Sequence, residues 1–172
     1  MIELLIMYIL SISPHTMYGV LKDILKKFSP YTKPSFGTVK PALLRLEKKG
    51  AICSNKSISD GGKVSILYAL TPDGLSILKQ KILEVDTENP VQFLSNARIQ
   101  LACAGFLDKT SQQELFLKLK KRAILIKTDA ESKISDETIS PTYFHRLVLD
   151  NSICEYNNFI TLLEGLESAG NS

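Results

Sequence analysis

Apolar residues in the first third of the chain recur at helical spacing and are separated by serine and proline. Ile2–Ile12 is apolar on most sides, which predicts a buried helix that Ser13-Pro14 ends. Thr16 is the predicted N-cap of a second helix, and Ser29-Pro30 marks the loop that follows it. The core face of this second helix is predicted from the apolar residues that recur along it, which are Met17, Val20, Leu21, Ile24, Leu25 and Phe28.

A third helix is predicted to begin between Ser35 and Thr38 and to end at Gly50, since glycine favours the left-handed C-cap conformation. This helix includes Pro41, and a proline inside a helix removes a backbone hydrogen bond. A start at Thr38 would leave Pro41 near the first turn, where the cost is small, whereas a start at Ser35 would require a kink. The sequence leaves both starts open.

The two faces of this third helix differ in character. Its core face is predicted to carry Val39, Leu43 and Leu46. The helical repeat predicts that the opposite face carries Thr38, Pro41, Arg45 and Lys48, with Lys40 and Leu44 on one flank. The N-terminal end of such a helix offers backbone N–H groups and hydroxyls to phosphates and base edges.

A β-hairpin and a fourth helix follow. Ala51–Ser54 and Ser65–Leu70 are strand-like, and Asp60-Gly61-Gly62 between them is a strong turn signal. Thr71 is the predicted N-cap of the fourth helix, with Pro72 at its first position, where proline is favoured. Three helices, a hairpin and a helix, in this order, are typical of a winged helix-turn-helix.

The second half of the chain predicts a helical domain. Asp86–Pro90 reads as a polar linker, and three helices are predicted after it, over Val91–Phe106, Ser111–Ser132 and Pro141–Gly165. Ser111 begins a capping box. We therefore expect a mainly α fold with a small β-hairpin wing. Residues 1–84 would form the winged helix-turn-helix DNA-binding domain, and residues 91–167 a C-terminal helical domain.

The last predicted helix has a broad apolar stripe. The stripe consists of Leu149, Ile153, Tyr156, Ile160 and Leu163. A helix with such a wide apolar face needs more than one neighbour. The stripe could pack on the other C-terminal helices of the same chain, or it could form a dimer interface together with the first helix.

The distribution of charge along the chain favours a polyanionic partner for the first half only. The net charge is +3. Met1–Leu83 has 12 Lys/Arg and 5 Asp/Glu, a net charge of +7, whereas Glu84–Ser172 has 9 Lys/Arg and 13 Asp/Glu, a net charge of −4. A basic first half fits nucleic acid.

No residue pattern for catalysis, a metal or a cofactor appears in the sequence. The three cysteines lie about fifty residues apart without histidines at ligand spacing, and we expect buried or half-buried thiols. His15 is expected in a solvated turn and His145 on a helix surface. Ile2–Ile12 is too short to span a bilayer and lacks the features of a signal peptide, so we expect a cytoplasmic protein and no membrane partner.

The first 80 residues or so resemble the PadR-like winged-helix transcriptional regulators. The matching segments are Tyr18-Gly19, Ser35–Leu43 with Arg45–Gly50, Gly61-Gly62-Lys63 and Tyr68–Gly74. The chain departs from the family pattern at Lys40, where a tyrosine is usual, at Lys63, where the wing has an arginine, and at Leu44, which replaces a commonly polar residue. These departures predict an altered operator or weaker binding.

The resemblance implies that residues 91–167 are a C-terminal helical dimerisation domain. The resemblance and the helix geometry together predict a homodimeric, sequence-specific DNA-binding transcriptional regulator, with repression as the expected mode. Its partners would be a pseudo-palindromic operator and a second copy of itself. The candidate DNA contacts are Lys33, Ser35, Thr38, Lys40, Arg45, Lys48, Lys63 and Ser65. The alternative function is a winged-helix protein-interaction module that does not bind DNA, and an enzyme ranks third.

The resemblance also implies that a small-molecule inducer can release DNA in some members of the family. Any pocket for such a molecule would be expected between the first helix and the C-terminal helices. Its candidate walls are Met7, Tyr8, Phe93, Phe144 and Tyr156. The alternative is that these residues are ordinary core or dimer contacts.

Overall fold

The computed structural model describes residues 1–58, 64–85, 89–136, 138 and 141–170. Within these residues the elements are α1 (Ile2–Ile12), β1 (His15–Thr16), α2 (Met17–Phe28), α3 (Phe36–Lys48), β2 (Ile52–Ile58), β3 (Val64–Leu70), α4 (Pro72–Leu83), α5 (Pro90–Cys103), a 3-10 turn (Ala104–Phe106), α6 (Lys109–Ser135) and α7 (Tyr143–Gly170). This order confirms the predicted fold class, which is mainly helical with a small β wing.

Two threonine N-caps predicted from the sequence are confirmed. The hydroxyl oxygen of Thr16 accepts a hydrogen bond from the Gly19 amide at 3.1 Å, and that of Thr71 accepts one from the Gly74 amide at 2.9 Å. The Thr71 hydroxyl also donates to the Gly50 carbonyl at 2.7 Å, which joins the start of α4 to the end of α3. Gly50 itself has a φ of 70°, as expected for a residue that ends a helix in the left-handed conformation.

Helix α3 begins at Phe36, so that Pro41 lies inside it. The amide of Pro41 cannot donate to the carbonyl one turn back, and this loss is offset by the packing of the helix. Val39, Leu43 and Leu46 are buried, as predicted, and Ala42 is buried beside them. Tertiary burial of this face therefore outweighs the poor helix propensity of the proline.

The wing contains a strand that the sequence did not predict. The sheet order is β1-β3-β2, and β1 pairs with β3 through His15 opposite Tyr68 and Thr16 opposite Leu67. Strand β2 extends to Ile58, which faces Val64 across the antiparallel ladder. The predicted Asp60-Gly61-Gly62 turn lies outside the described residues.

The expectation that His15 is a solvated turn residue is wrong. His15 lies in β1 and is half-buried. Its Nδ1 is 2.7 Å from the Ser13 carbonyl oxygen, and its Nε2 is 3.3 Å from a carboxylate oxygen of Asp23 on α2. The imidazole is therefore held between the end of α1 and the second helix.

The chain divides into two compact units, of which the first comprises Met1–Glu84 and Leu94–Phe106. In this unit α1 packs against α2, α3 and α4. The side-chain amide of Gln100, which is 1 % exposed, donates to the carbonyls of Ile82 and Glu84 at 2.8 and 2.9 Å. Gln100 thus caps the end of α4. Leu94–Phe106, from the predicted second domain, packs with the first unit. The division into functional domains at residues 1–84 and 91–167 stays a prediction.

The second unit comprises Val85–Phe93 and Leu107–Ser172. Its long helices α6 and α7 pack as an antiparallel pair, in which the Gln113 side-chain amide donates to the Glu167 carbonyl at 3.4 Å and Lys127 donates to Asn157 at 3.1 Å. The prediction that Ser111 is the N-cap of α6 is wrong. Asp108 is the N-cap, and its carboxylate accepts from both the amide and the hydroxyl of Ser111.

None of the described helices combines the length and apolar character needed to cross a membrane. No group of three His, Cys, Asp or Glu side chains in the described part of the chain is arranged to hold a metal ion. Cys103 is buried, and burial raises the pKa of its thiol to about 12. Cys53 and Cys154 are exposed, so the expectation that all three thiols are at least half-buried is wrong for these two.

Candidate nucleic-acid interface

The surface of α3 and of the loop before it is rich in exposed cations. Lys33, Lys40 and Lys48 are all exposed. Among the described residues, none of these three side chains lies within ion-pair distance of a carboxylate. Their charges are therefore available to an anionic partner. Lys40 and Lys48 lie on a helix whose other face is buried, and Lys33 precedes that helix.

Two further cations of this helix end are held by an acid from α1. Arg45 Nε donates to Glu3 Oε1 at 2.9 Å, and Lys49 Nζ lies 3.5 Å from the other carboxylate oxygen. Lys81 of α4 completes the cluster at 3.6 Å. Burial alone would raise the pKa of Glu3, but the hydrogen bond from Arg45 and the charges of Lys49 and Lys81 outweigh it and lower the pKa below 4.5. Glu3 thus ties three helices together.

The N-terminal end of α3 carries hydroxyls and an aromatic pair. The hydroxyl oxygens of Ser35 and Thr38 lie 3.4 Å apart, and both residues are exposed. Beside them the rings of Tyr18 and Phe36 stack with a centroid distance of 6.2 Å and an angle of 22° between their planes. Because Tyr18 lies in the first turn of α2 and Phe36 begins α3, this stack brings the two helix N-termini together.

The wing presents fewer charges than α3. Ser65 is half-buried and lines an open groove of about 460 Å³, together with Thr16, Met17, Tyr18, Ile66 and Tyr68. The wing also exposes Ile58, Val64 and Ile66. Lys63, the predicted wing contact, lies outside the described residues.

The predicted dimerisation stripe on α7 is partly covered within one chain. Tyr156 and Leu163 are buried, and the Tyr156 ring stacks on Phe93 with a centroid distance of 6.2 Å. Leu149, Ile153 and Ile160 are half-buried. The intramolecular alternative therefore accounts for Tyr156 and Leu163, and a role for the stripe in a dimer stays a prediction.

Other apolar side chains of the second unit are exposed, and of these the sequence singled out only Phe144, as a candidate pocket wall. Tyr143 and Phe144 are 72 % and 76 % exposed at the start of α7, and Leu147 and Val148 follow one turn later. The aromatic rings of Tyr143 and Phe144 meet edge to face at 5.4 Å. These four residues form what we call the α7 apolar patch. In the sequence these four residues recur at helical spacing just before the predicted dimerisation stripe.

Comparison with known families finds one match, within the first unit. The model of the transcriptional regulator PadR-like family matches residues 6–80. Residues 6–80 are therefore similar to the PadR-like family. This is a family of transcriptional regulators and not of enzymes, and the match spans α1 to α4 with the wing between them.

Several solved structures are similar to the chain. Bacillus subtilis PadR in complex with operator DNA has 16 % sequence identity and a TM-score of 0.47, with 98 % of each chain covered. The same protein in complex with p-coumaric acid has a TM-score of 0.40 at 16 % identity, with 99 % of this chain and 97 % of that chain covered. A transcriptional regulator from Clostridium thermocellum has 29 % identity and a TM-score of 0.42, covering 46 % of this chain and 76 % of its own. No curated protein matches the chain.

The PadR-like domain brings most of the candidate DNA contacts onto one helix. Ser35, Thr38, Lys40 and Lys48 lie on α3 or at its N-cap, and Lys33 precedes it. Arg45 is also exposed, but its Nε is bound to Glu3. Ser65 lies apart from these residues, on wing strand β3. The ion pair of Arg45 joins residues 42 positions apart, which the helical repeat could not have revealed.

Proposed function

We propose that this protein is a homodimeric, sequence-specific regulator of transcription that binds double-stranded DNA in the cytoplasm and acts as a repressor. The observation that supports it best is the exposed face of α3 in a PadR-like domain. There, Lys40 and Lys48 project from a helix that is anchored on its other side by Val39, Leu43 and Leu46. A helix of this kind fits the major groove.

Phosphate contacts would come from the exposed lysines. Lys33, Lys40 and Lys48 would each neutralise a phosphate and release a counterion on binding, which makes affinity depend on salt. Ser35 and Thr38, at the N-terminal end of α3, would add hydrogen bonds from their hydroxyls. Lys63 and Ser65 would extend the contact onto the wing, since Ser65 is only half-buried.

Arg45 would act differently from the lysines. Its Nε is occupied by Glu3, while the other N–H groups of its guanidinium are available because the side chain is 53 % exposed. An Arg held in this way loses little conformational entropy when it binds a phosphate. We therefore assign it a phosphate contact and not a base contact.

Dimerisation would use the second unit. The α7 apolar patch is exposed in a single chain, and burying it against a second copy would remove two aromatic and two aliphatic side chains from water. The half-buried Leu149, Ile153 and Ile160 would extend the contact. Two-fold symmetry would then match the two half-sites of a pseudo-palindromic operator.

Relief of repression by a small molecule is the part of the proposal that rests on the family resemblance. Tyr8 packs edge to face on Phe28 and Phe106 in the first unit, whereas Phe93 and Tyr156 stack in the second. A ligand would act only by preferring one spacing of the two winged helices over another.

The experiment that tests the proposed function is selection from a random pool of double-stranded DNA with the full-length protein. We expect enrichment of one pseudo-palindromic sequence, and the DNA upstream of the protein's own gene is the first candidate to contain it. A pool that stays random after repeated rounds would contradict the proposal.

A protein-interaction module is the second candidate function. It is favoured by the exposed Leu44 on α3 and by Ile58, Val64 and Ile66 on the wing, because apolar side chains at such positions suit a protein surface. The same selection separates the two candidates, since a protein-interaction module would enrich no DNA sequence.

A further inference from the structure

The outward face of α3 has an apolar centre between its cations. Pro41, Leu44 and Lys48 follow one another at spacings of three and four residues and are all exposed, so they form one row along the helix. Leu44 is 55 % exposed, which is high for a leucine on a helix whose other face is packed. Gly37 extends the row toward the N-terminus, and the space around its Cα is nearly open.

The side chains at the centre of this row cannot form hydrogen bonds. Glycine has no side chain, proline has a hydrocarbon ring and no N–H group, and leucine is aliphatic. If this face enters the major groove, its centre can recognise bases only through apolar contact. Thymine is the one standard base that presents an apolar group there, its C5 methyl.

The cations around Leu44 favour DNA over an apolar partner. Lys40 lies four residues before Leu44 and Lys48 four residues after it, both exposed, so the leucine is flanked along the helix by two positive charges. Glu47, the nearest acid in the sequence, is half-buried and accepts a hydrogen bond from Ser54 at 2.5 Å. A partner that is anionic at its edges and carries methyl groups between them has the complementary chemistry.

We propose that Leu44, assisted by Pro41, is a specificity-determining residue that reads thymine methyl groups in the operator. This inference rests on the proposed DNA-binding function and adds the class of sequence that the site prefers. Each half-site would contain at least one thymine opposite Leu44.

The test compares thymine with uracil, which lacks only the methyl group. The duplex selected from the random pool is synthesised with deoxyuridine in place of each thymine in turn, and the affinity of the full-length protein is measured by fluorescence anisotropy. Loss of one buried methyl contact is expected to weaken binding about fourfold at one or two positions per half-site. The Leu44→Ala variant is expected to bind the thymine and uracil duplexes at those positions equally.

Lys48→Ala is the matched control, because it removes a neighbouring exposed side chain that carries charge. It should weaken binding to all duplexes and leave the ratio of thymine to uracil affinity unchanged. Equal affinity of the wild-type protein for both duplexes at every position would overturn the inference while leaving the proposed function intact. Retention of the ratio in Leu44→Ala would also overturn it.

The two levels of the proposal fail in different ways. Failure to enrich any DNA sequence would overturn the proposed function together with the inference. Because the uracil scan of the wild-type protein needs no variant, the inference can be contradicted even if Leu44→Ala does not fold.

Discussion

Arg45 Nε donates a hydrogen bond to Glu3 Oε1 at 2.9 Å, which ties the proposed recognition helix α3 to the first helix of the chain. Lys49 and Lys81 bring two more positive charges to the same carboxylate. The side chain of Glu3 is only 14 % exposed, whereas those of Arg45 and Lys49 are 53 % and 54 % exposed. One acid therefore links α3 to both α1 and α4, in addition to the apolar packing of Val39, Leu43 and Leu46.

Glu3→Gln is predicted to lower the free energy of unfolding by about 1 kcal/mol at pH 7, because it removes the negative charge that three cations share. Because the pKa of Glu3 is lowered by folding, its contribution is present above the unfolded-state pKa near 4.5 and is lost as pH falls through the folded-state value. Urea denaturation at pH 7 and below pH 4 should show the difference from wild type shrinking with acid.

Glu84→Gln is the control for this prediction. Glu84 is 69 % exposed, and among the described residues its carboxylate pairs with Lys81 alone, at 3.7 Å, so the substitution should change stability by less than about 0.5 kcal/mol. Equal effects of the two substitutions would show that the Glu3 cluster contributes no more than a surface ion pair.

Gly74→Ala is predicted to destabilise the fold by about 2 kcal/mol or more. A Cβ at this position would lie 1.9 Å from the carbonyl oxygen of Ala51, and a backbone atom cannot move aside as a flexible side chain can. Thermal denaturation should show a clear fall in Tm. Gly105→Ala is the matched control, since a Cβ there meets no atom within 4 Å, and an equal fall in Tm would refute the explanation.

The α7 apolar patch is predicted to hold two chains together. The double substitution Phe144→Glu and Val148→Glu should convert a dimer to a monomer in light scattering at micromolar concentration, because charges would replace two exposed apolar side chains. Ser168→Glu, an exposed position near the end of the same helix, should leave the dimer intact. A monomeric mass for the wild-type protein would rule out the predicted dimer.

Local sequence signals predicted the ends of the helices well where a single side chain decides them. Thr16 and Thr71 cap their helices as predicted, because a hydroxyl and an amide three residues away suffice. Asp108 is the N-cap of α6 instead of the predicted Ser111. Aspartate and serine are both favourable N-caps, so the sequence alone could not decide between them. Strand β1 has only two residues, which is too few to show the alternation of apolar and polar residues that predicts a strand.

Features that depend on distant residues could not be predicted. The burial of Val39, Leu43 and Leu46 stabilises α3 as a helix from Phe36 through Pro41, whereas the sequence left its start open between Ser35 and Thr38. The ion pair between Glu3 and Arg45 spans 42 positions and needs the packed fold. The apolar stripe of α7 could be recognised from its period, but only the structure shows that Tyr156 and Leu163 are covered within one chain.

The measurement that tests the central claim most directly is the salt dependence of DNA affinity for wild type, Lys40→Ala, Lys48→Ala and Lys63→Ala, with Lys121→Ala on α6 as the control. If these side chains contact phosphates, each substitution in the first unit should reduce the slope of log affinity against log salt by about one, while Lys121→Ala should leave it unchanged. Slopes equal to that of the wild-type protein in Lys40→Ala and Lys48→Ala would contradict the account.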